Sequence, residues 1–171
     1  MILYHGGTDI ITAPEIRTPN RGLDFGRGFY TTTNQAQAIK YAERMRDMRN
    51  RQNKSMTHKA IVSVFEFDMD AASQHCEIKT FTQTNEEWLD FVTDHRQMKY
   101  SGKPYDVIIG PMADDKVYDV VNLYQLGGYD KEEALKRLKV VRDFNQYVLT
   151  TEKALSFLTF QIAQIVGGSH G

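Results

Sequence analysis

The 171-residue chain has the length of one ordinary domain, and a 41% hydrophobic, 11% aromatic composition suffices for a single sizeable core. Its 21 Lys and Arg nearly balance 22 Asp and Glu, so a net charge of −1 gives no global pull toward nucleic acid or membrane. The lone cysteine, Cys76, excludes an internal disulfide and a cysteine-rich metal cluster and fits a reducing, cytoplasmic setting; no stretch reads as a secretory signal or a membrane span.

In chain order, Ile2-Leu3-Tyr4-His5 is a short apolar run closed by Gly6-Gly7, which predicts a buried strand delivering His5 to a loop. From Thr8 to Gly28, two prolines and three glycines without helical periodicity predict an irregular excursion carrying Asp24 and Arg27. Phe29 to Thr33 suits a strand, and Asn34 with Gln37 resembles a capping box opening a helix from Gln35 to about Asn50. Ala36, Ala38, Ile39, Ala42 and Met45 share its apolar stripe, and a basic polar stretch runs on to Lys59.

Ala60 to Met69 reads as a strand, Trp88 to Val92 as a short helix, and Asp106 to Pro111 as a second apolar strand punctuated at its end by Gly110-Pro111. A helix follows from about Lys116 to Leu126, ended by Gly127-Gly128. Asp130 and Glu133 cap the next helix, Gln146 to Leu149 forms a late strand, and a final amphipathic helix is expected over Glu152 to Ile165. The elements interleave in one α+β domain over residues 1–166, with residues 167–171 a flexible tail or an expression remnant.

Three separated pieces carry a family resemblance: Leu3-Tyr4-His5-Gly6-Gly7, Gly26-Arg27-Gly28-Phe29-Tyr30-Thr31-Thr32, and Asn145-Gln146-Tyr147-Val148-Leu149. In this order they resemble the signature segments of diphtheria-toxin-like and poly-ADP-ribose-polymerase-like transferases, whose motif is His, Tyr and usually Glu. Asp24 to Tyr30, together with Gly110-Pro111-Met112-Ala113-Asp114-Asp115, resembles a bacterial ADP-ribosyltransferase-like family, Domain of Unknown Function 3990. The resemblance implies a split, mostly antiparallel sheet with surrounding helices and NAD held in the cleft as cosubstrate, without metal. It further implies that His5 hydrogen-bonds the adenosine ribose, that Gly6 lets backbone groups approach the nicotinamide amide, and that Tyr30 stacks on the nicotinamide ring. Asp24 and Arg27 would contact ribose or diphosphate, or simply fix their loop. Read without the resemblance, His5 is a strand-end histidine and Tyr30 a core aromatic.

Gln146 departs from this pattern by standing where the resembling segment usually carries glutamate. An amide still hydrogen-bonds a ribose hydroxyl, but it supplies neither negative charge to an oxocarbenium-like transition state nor a general base. Polymer elongation is therefore not expected. Three outcomes stand open: mono-ADP-ribosyl transfer with Gln146 positioning ribose, transfer helped by another carboxylate such as Asp114 or Asp115, and NAD or ADP-ribose binding without turnover. An NAD glycohydrolase would use the same donor cleft with water as acceptor.

The acceptor is a protein or a nucleic acid. Arg44, Arg46, Arg49 and Arg51 could guide phosphates, although Glu43 and Asp47 interrupt the charge and a solvated helix face explains the run equally well. Transferases of this appearance act as toxins or effectors, which implies a neutralising antitoxin or immunity protein. Metal ligation is not expected, since the five histidines lack compact spacing; nor is a His75–Cys76 nucleophilic pair, since strand neighbours point to opposite faces.

Overall fold

A computed structural model describes residues 1–19, 21–54, 57–111, 115–138 and 145–167. The chain runs β1 (Ile2–Gly7), β2 (Phe29–Thr32), α1 (Gln35–Gln52), β3 (Ala60–Phe67), α2 (Met69–His75), β4 (Ile78–Thr80), α3 (Glu86–Arg96), β5 (Val107–Pro111), α4 (Asp115–Gln125), α5 (Lys131–Leu138), β6 (Asn145–Leu149), α6 (Glu152–Leu155) and β7 (Leu158–Val166). The strands form one sheet in the order β4-β5-β6-β2-β1-β3-β7, antiparallel throughout except for the parallel β4–β5 pair. The architecture is α+β with a mostly antiparallel sheet.

Local chemistry sets the helix starts. Asn34 accepts from the Gln37 backbone N–H at 3.2 Å and Asn85 from that of Trp88 at 3.0 Å. Asp130 takes the Glu133 N–H at 2.8 Å, satisfying amides that a helix's first turn leaves without partners. Facing residues of paired strands lie on the same side of the sheet, so the ladder registers sort the core into two faces. One face carries Tyr4, Tyr30, Thr32, Ile108, Gln146 and Val148, covered by α1 over β1 and β3 and by α3, α4 and α5 over β5 and β6. The other carries Leu3, His5, Phe29, Phe65, Val107, Ile109 and Leu149, covered by α2, α6 and by Ile11 and Ile16 of the 8–28 excursion. Phe25, from the same excursion, packs instead among Phe81, Phe91 and Trp88 on the first face. The loop therefore wraps around the end of the sheet.

Two expectations are corrected. The final helix stops after one turn at Leu155, and Leu158–Val166 is a strand. Leu158, Thr159, Phe160, Gln161 and Ile162 alternate with period two and are rich in residues suited to a pleated surface; eight register pairs with β3 stabilise that form over the helix. β5 ends at Pro111, opposite Asn145, as the Gly110-Pro111 punctuation leads one to expect. His75 and Cys76 lie on no strand: His75 ends α2, stacked 6.1 Å from Phe157, and Cys76 caps it. The segment 69–80, which carries no helix or strand expectation beyond Met69, supplies α2 and β4.

Candidate functional site

The sheet is narrowest at its centre. β1 and β2 share a single register pair, Tyr4 with Thr32, whereas β1 pairs with β3 along its whole length. Beyond Tyr4 the strands are joined by a side chain: His5 Nδ1 lies 2.8 Å from the Tyr30 carbonyl oxygen. In the tautomer that makes this bond, Nδ1–H donates and Nε2 remains an acceptor. The imidazole stacks on Phe29 with centroids 4.5 Å apart, and burial pulls its pKa below the ordinary value of 6.5, against the opposing pull of the Tyr30 carbonyl. His5 is accordingly held neutral and oriented.

Gly6 follows on the helix face. A β-carbon there would lie 2.2 Å from the Ala38 carbonyl oxygen, so the absence of a side chain is what lets α1 lie directly on β1. Thr8 and Asp9, immediately past β1, receive Nη1 of Arg49 from the far half of α1, with 2.9 Å to Asp9. An arginine thus stands at the open end of the β1–β2 seam. Sequence reading placed Arg49 in the basic run but not at this seam; only the pairing across 40 residues of chain brings it there.

Tyr30 lies on the helix face with its hydroxyl committed: it donates to the Gly26 carbonyl at 2.7 Å and accepts from the Phe25 amide at 3.1 Å. Gly26 has φ +73°, a conformation open to glycine at little cost, which turns the loop under the phenol. Burial raises the Tyr30 pKa far above its usual range, with Asp24 adding to the rise and the Phe25 N–H and Arg96 opposing it. The phenol therefore serves as a neutral anchor for the Asp24–Gly28 loop.

Gln146 faces Thr32 on one side and Gly110 on the other, is 4% exposed, and its Nε2 has no hydrogen-bond partner. An unspent buried amide donor costs about 1–3 kcal/mol, so a group arriving with an acceptor would recover free energy there. Tyr41, half exposed on α1, is close enough to Tyr30 to influence its ionisation and adds an aromatic surface that sequence reading did not single out.

The remaining candidates are distributed. Asp24 makes an ion pair at 2.6 Å with Arg96, both largely buried, and Arg96 also reaches Asn122 and stacks over Tyr118. Arg27 is exposed and donates to the Ile16 carbonyl at 3.4 Å, closing the excursion on itself. Arg46 binds Asp47 and the Gly167 carbonyl, and Arg51 binds the Asp47 carbonyl, so both are engaged within the chain; Arg44 also has an interaction of its own. Asp114 lies outside the described residues, as does the side chain of Asp115. Among the described residues, no group of three or more His, Cys, Asp or Glu could hold a metal, and no helix is long and apolar enough to cross a membrane.

The structure thus brings Tyr30 and Gln146 to one face, on adjacent strands, and puts His5 on the other, joined to them through the Tyr30 carbonyl. No curated protein and no solved structure matches the chain. A family model does match, over residues 1–160, and by that match the chain belongs to DUF3990, a family described as protein of unknown function.

Proposed function

We propose that the chain binds NAD at the β1–β2 seam and transfers its ADP-ribosyl group once to a protein or nucleic-acid acceptor. The observation that supports this reading is a buried Gln146 with an unspent donor on the strand beside Tyr30, with an oriented neutral His5 joined to them from the opposite face through the Tyr30 carbonyl. These features suit a ligand with ribose hydroxyls and an amide. Arg49, at the open end, is the cation available to the diphosphate once Asp9 gives way. In the reaction, the bond between nicotinamide nitrogen and ribose C1′ breaks, nicotinamide leaves as a neutral molecule, and the acceptor nucleophile bonds to C1′ and loses its proton. Binding and orientation must supply most of the acceleration, since Gln146 cannot take that proton. The toxin or effector role, a neutralising partner and a cytoplasmic setting belong to this same reading.

A second reading is favoured by one residue. Gln146 stands where a carboxylate would do the electrostatic work, and a module that holds NAD or ADP-ribose without turnover needs only its hydrogen bond.

Incubation with NAD labelled in its adenylate part and a cell lysate separates these readings, with His5→Ala, Tyr30→Ala and Gln146→Ala as controls whose folding is checked by melting temperature. Nicotinamide release with labelled macromolecule, lost in folded variants, is the expected result. Release with free ADP-ribose alone identifies a glycohydrolase. Saturable binding without release identifies the noncatalytic module, and absence of binding to NAD and ADP-ribose alike removes both readings.

A further inference from the structure

We propose that the outer edge of β7 is a self-association surface, through which two copies of this chain pair antiparallel across a two-fold axis into one continuous sheet. The two edges of the sheet differ in kind. β4, at one edge, has three residues and includes Lys79, a short and charged edge of the sort that resists further pairing. β7, at the other, has nine residues, Leu158-Thr159-Phe160-Gln161-Ile162-Ala163-Gln164-Ile165-Val166, with no charge, proline or glycine. At about 3.3 Å per residue it offers roughly 30 Å of edge, along which alternate residues turn their N–H and C=O outward. Among the described residues nothing pairs with that side.

The side chains specify what would cover it. Ile162 is 52% exposed and Ile165 63% exposed, and they stand on opposite faces of the sheet, aligned with Val64 and Ile61 respectively. A helix laid on one face would shield one isoleucine and leave the other; a strand added to the edge brings side chains to both faces at once. The ladder shifts register between Val64 and Phe65, so the regular stretch is 162–166. A two-fold axis at Gln164 then sets Ile162 against Val166 and Ala163 against Ile165 of the second copy, with the two Gln164 amides facing each other. Apolar meets apolar and amide meets amide, without like charges in opposition, so this strand is complementary to itself. A charged partner strand would set unpaired charges against the isoleucines.

The test compares molar masses by analytical ultracentrifugation for the full chain, Ile162→Lys, Ile165→Lys, the double variant, and Leu126→Lys as a control at an apolar residue 84% exposed elsewhere. The expected result is twice the chain mass for the unsubstituted protein and the control, and a single chain mass for the double variant with unchanged circular dichroism. A monomeric unsubstituted protein at its highest soluble concentration overturns the proposal, as does a dimer that survives the double substitution or an open-ended assembly. If the lysine variants unfold, hydrogen exchange on the unsubstituted protein decides: β7 amides that gain protection with rising concentration support the pairing, and concentration-independent exchange refutes it. None of these outcomes depends on NAD.

Discussion

At the scale of single residues, Gly6 and the Asp24–Arg96 pair are positions where a small change is costly. Gly6→Ala drives a methyl group against the Ala38 carbonyl, a backbone atom that moves only if α1 lifts from β1. Overpacking of this sort costs about 1–3 kcal/mol, so urea denaturation should show a lower midpoint, with any NAD binding weakened as well. Arg96→Ala leaves Asp24 buried without its partner, and breaking a buried pair costs about 3–5 kcal/mol. Lys136→Ala, which removes an exposed (i, i+4) pair with Glu132, should cost only about 0.3 kcal/mol on the same assay. The buried pair was not legible in the sequence, because nothing in the spacing of Asp24 and Arg96 across 72 residues signals contact. His5 was legible as a strand-end residue, and its neutrality has a consequence. Burial lowers the pKa of both His5 and His95 below 6.5, so between the folded and unfolded pKa values the unfolded chain binds more protons. Stability then rises with pH in that window, is complete above about pH 6.5, and falls on acidification below it. Melting temperatures measured downward from pH 7 should show this loss, and a smaller loss in His5→Asn and His95→Asn; an unchanged slope in both variants would remove these histidines as its source.

Among the elements, the strands and helices with clear local signals appear within a few residues of their expected bounds. α1 follows its Asn34 cap, α5 its Asp130 cap, and β3 its β-branched and aromatic run. β4 was invisible because three residues carry no periodicity, and β7 was misread because its glutamines and isoleucines satisfy a helical stripe as well as a pleat. What decided β7 is its neighbour: β3 is buried along nearly its whole length and needs a strand on each side. Deleting residues 158–171 should therefore leave β3 with an open apolar edge and abolish cooperative unfolding in calorimetry, whereas loss of a mere surface helix would leave a sharp transition. A second tie between elements is Asp106, which accepts from the Glu77 N–H at 2.8 Å, from Thr151 at 2.7 Å, and from Lys153 at 2.7 Å. Burial alone would raise its pKa, yet the Lys153 ammonium and these donors outweigh it and hold the carboxyl low. The resulting stability is present above about pH 3.8 and is lost as pH falls through the depressed value. Asp106→Asn should destabilise the protein at pH 7 by about 2 kcal/mol, as expected for losing charged hydrogen bonds, and the gap should narrow only as pH falls below about 3.8.

Over the whole molecule, the sheet behaves as two blocks, β4-β5-β6-β2 and β1-β3-β7, meeting at one register pair and the His5–Tyr30 bond. On the helix face α3 to α5 cover the first block, and α1 lies mainly on the second while also touching β2; Phe29 and Phe65 share the single core beneath. A seam held on one face and thin on the other is where the structure can part at least cost, because few buried contacts and few ladder bonds must be given up there. Beside it Tyr30 and Gln146 lie on adjacent strands of one face, while Gly6 lies under α1 and His5 is on the other face, joined to them through the Tyr30 carbonyl. Their division between two faces was not legible, because it depends on strand register and not on spacing. Native-state hydrogen exchange should therefore find those amides of β1 and β2 that turn toward the seam opening well below the free energy of global unfolding, while those of Val62, Phe65 and Ile108 open only with it. Saturating NAD should slow the first group and leave the second changed only by the overall gain in stability. If the seam amides are as protected as those of β3 without ligand, the sheet is one rigid body, and a site there must bind its ligand without parting the strands.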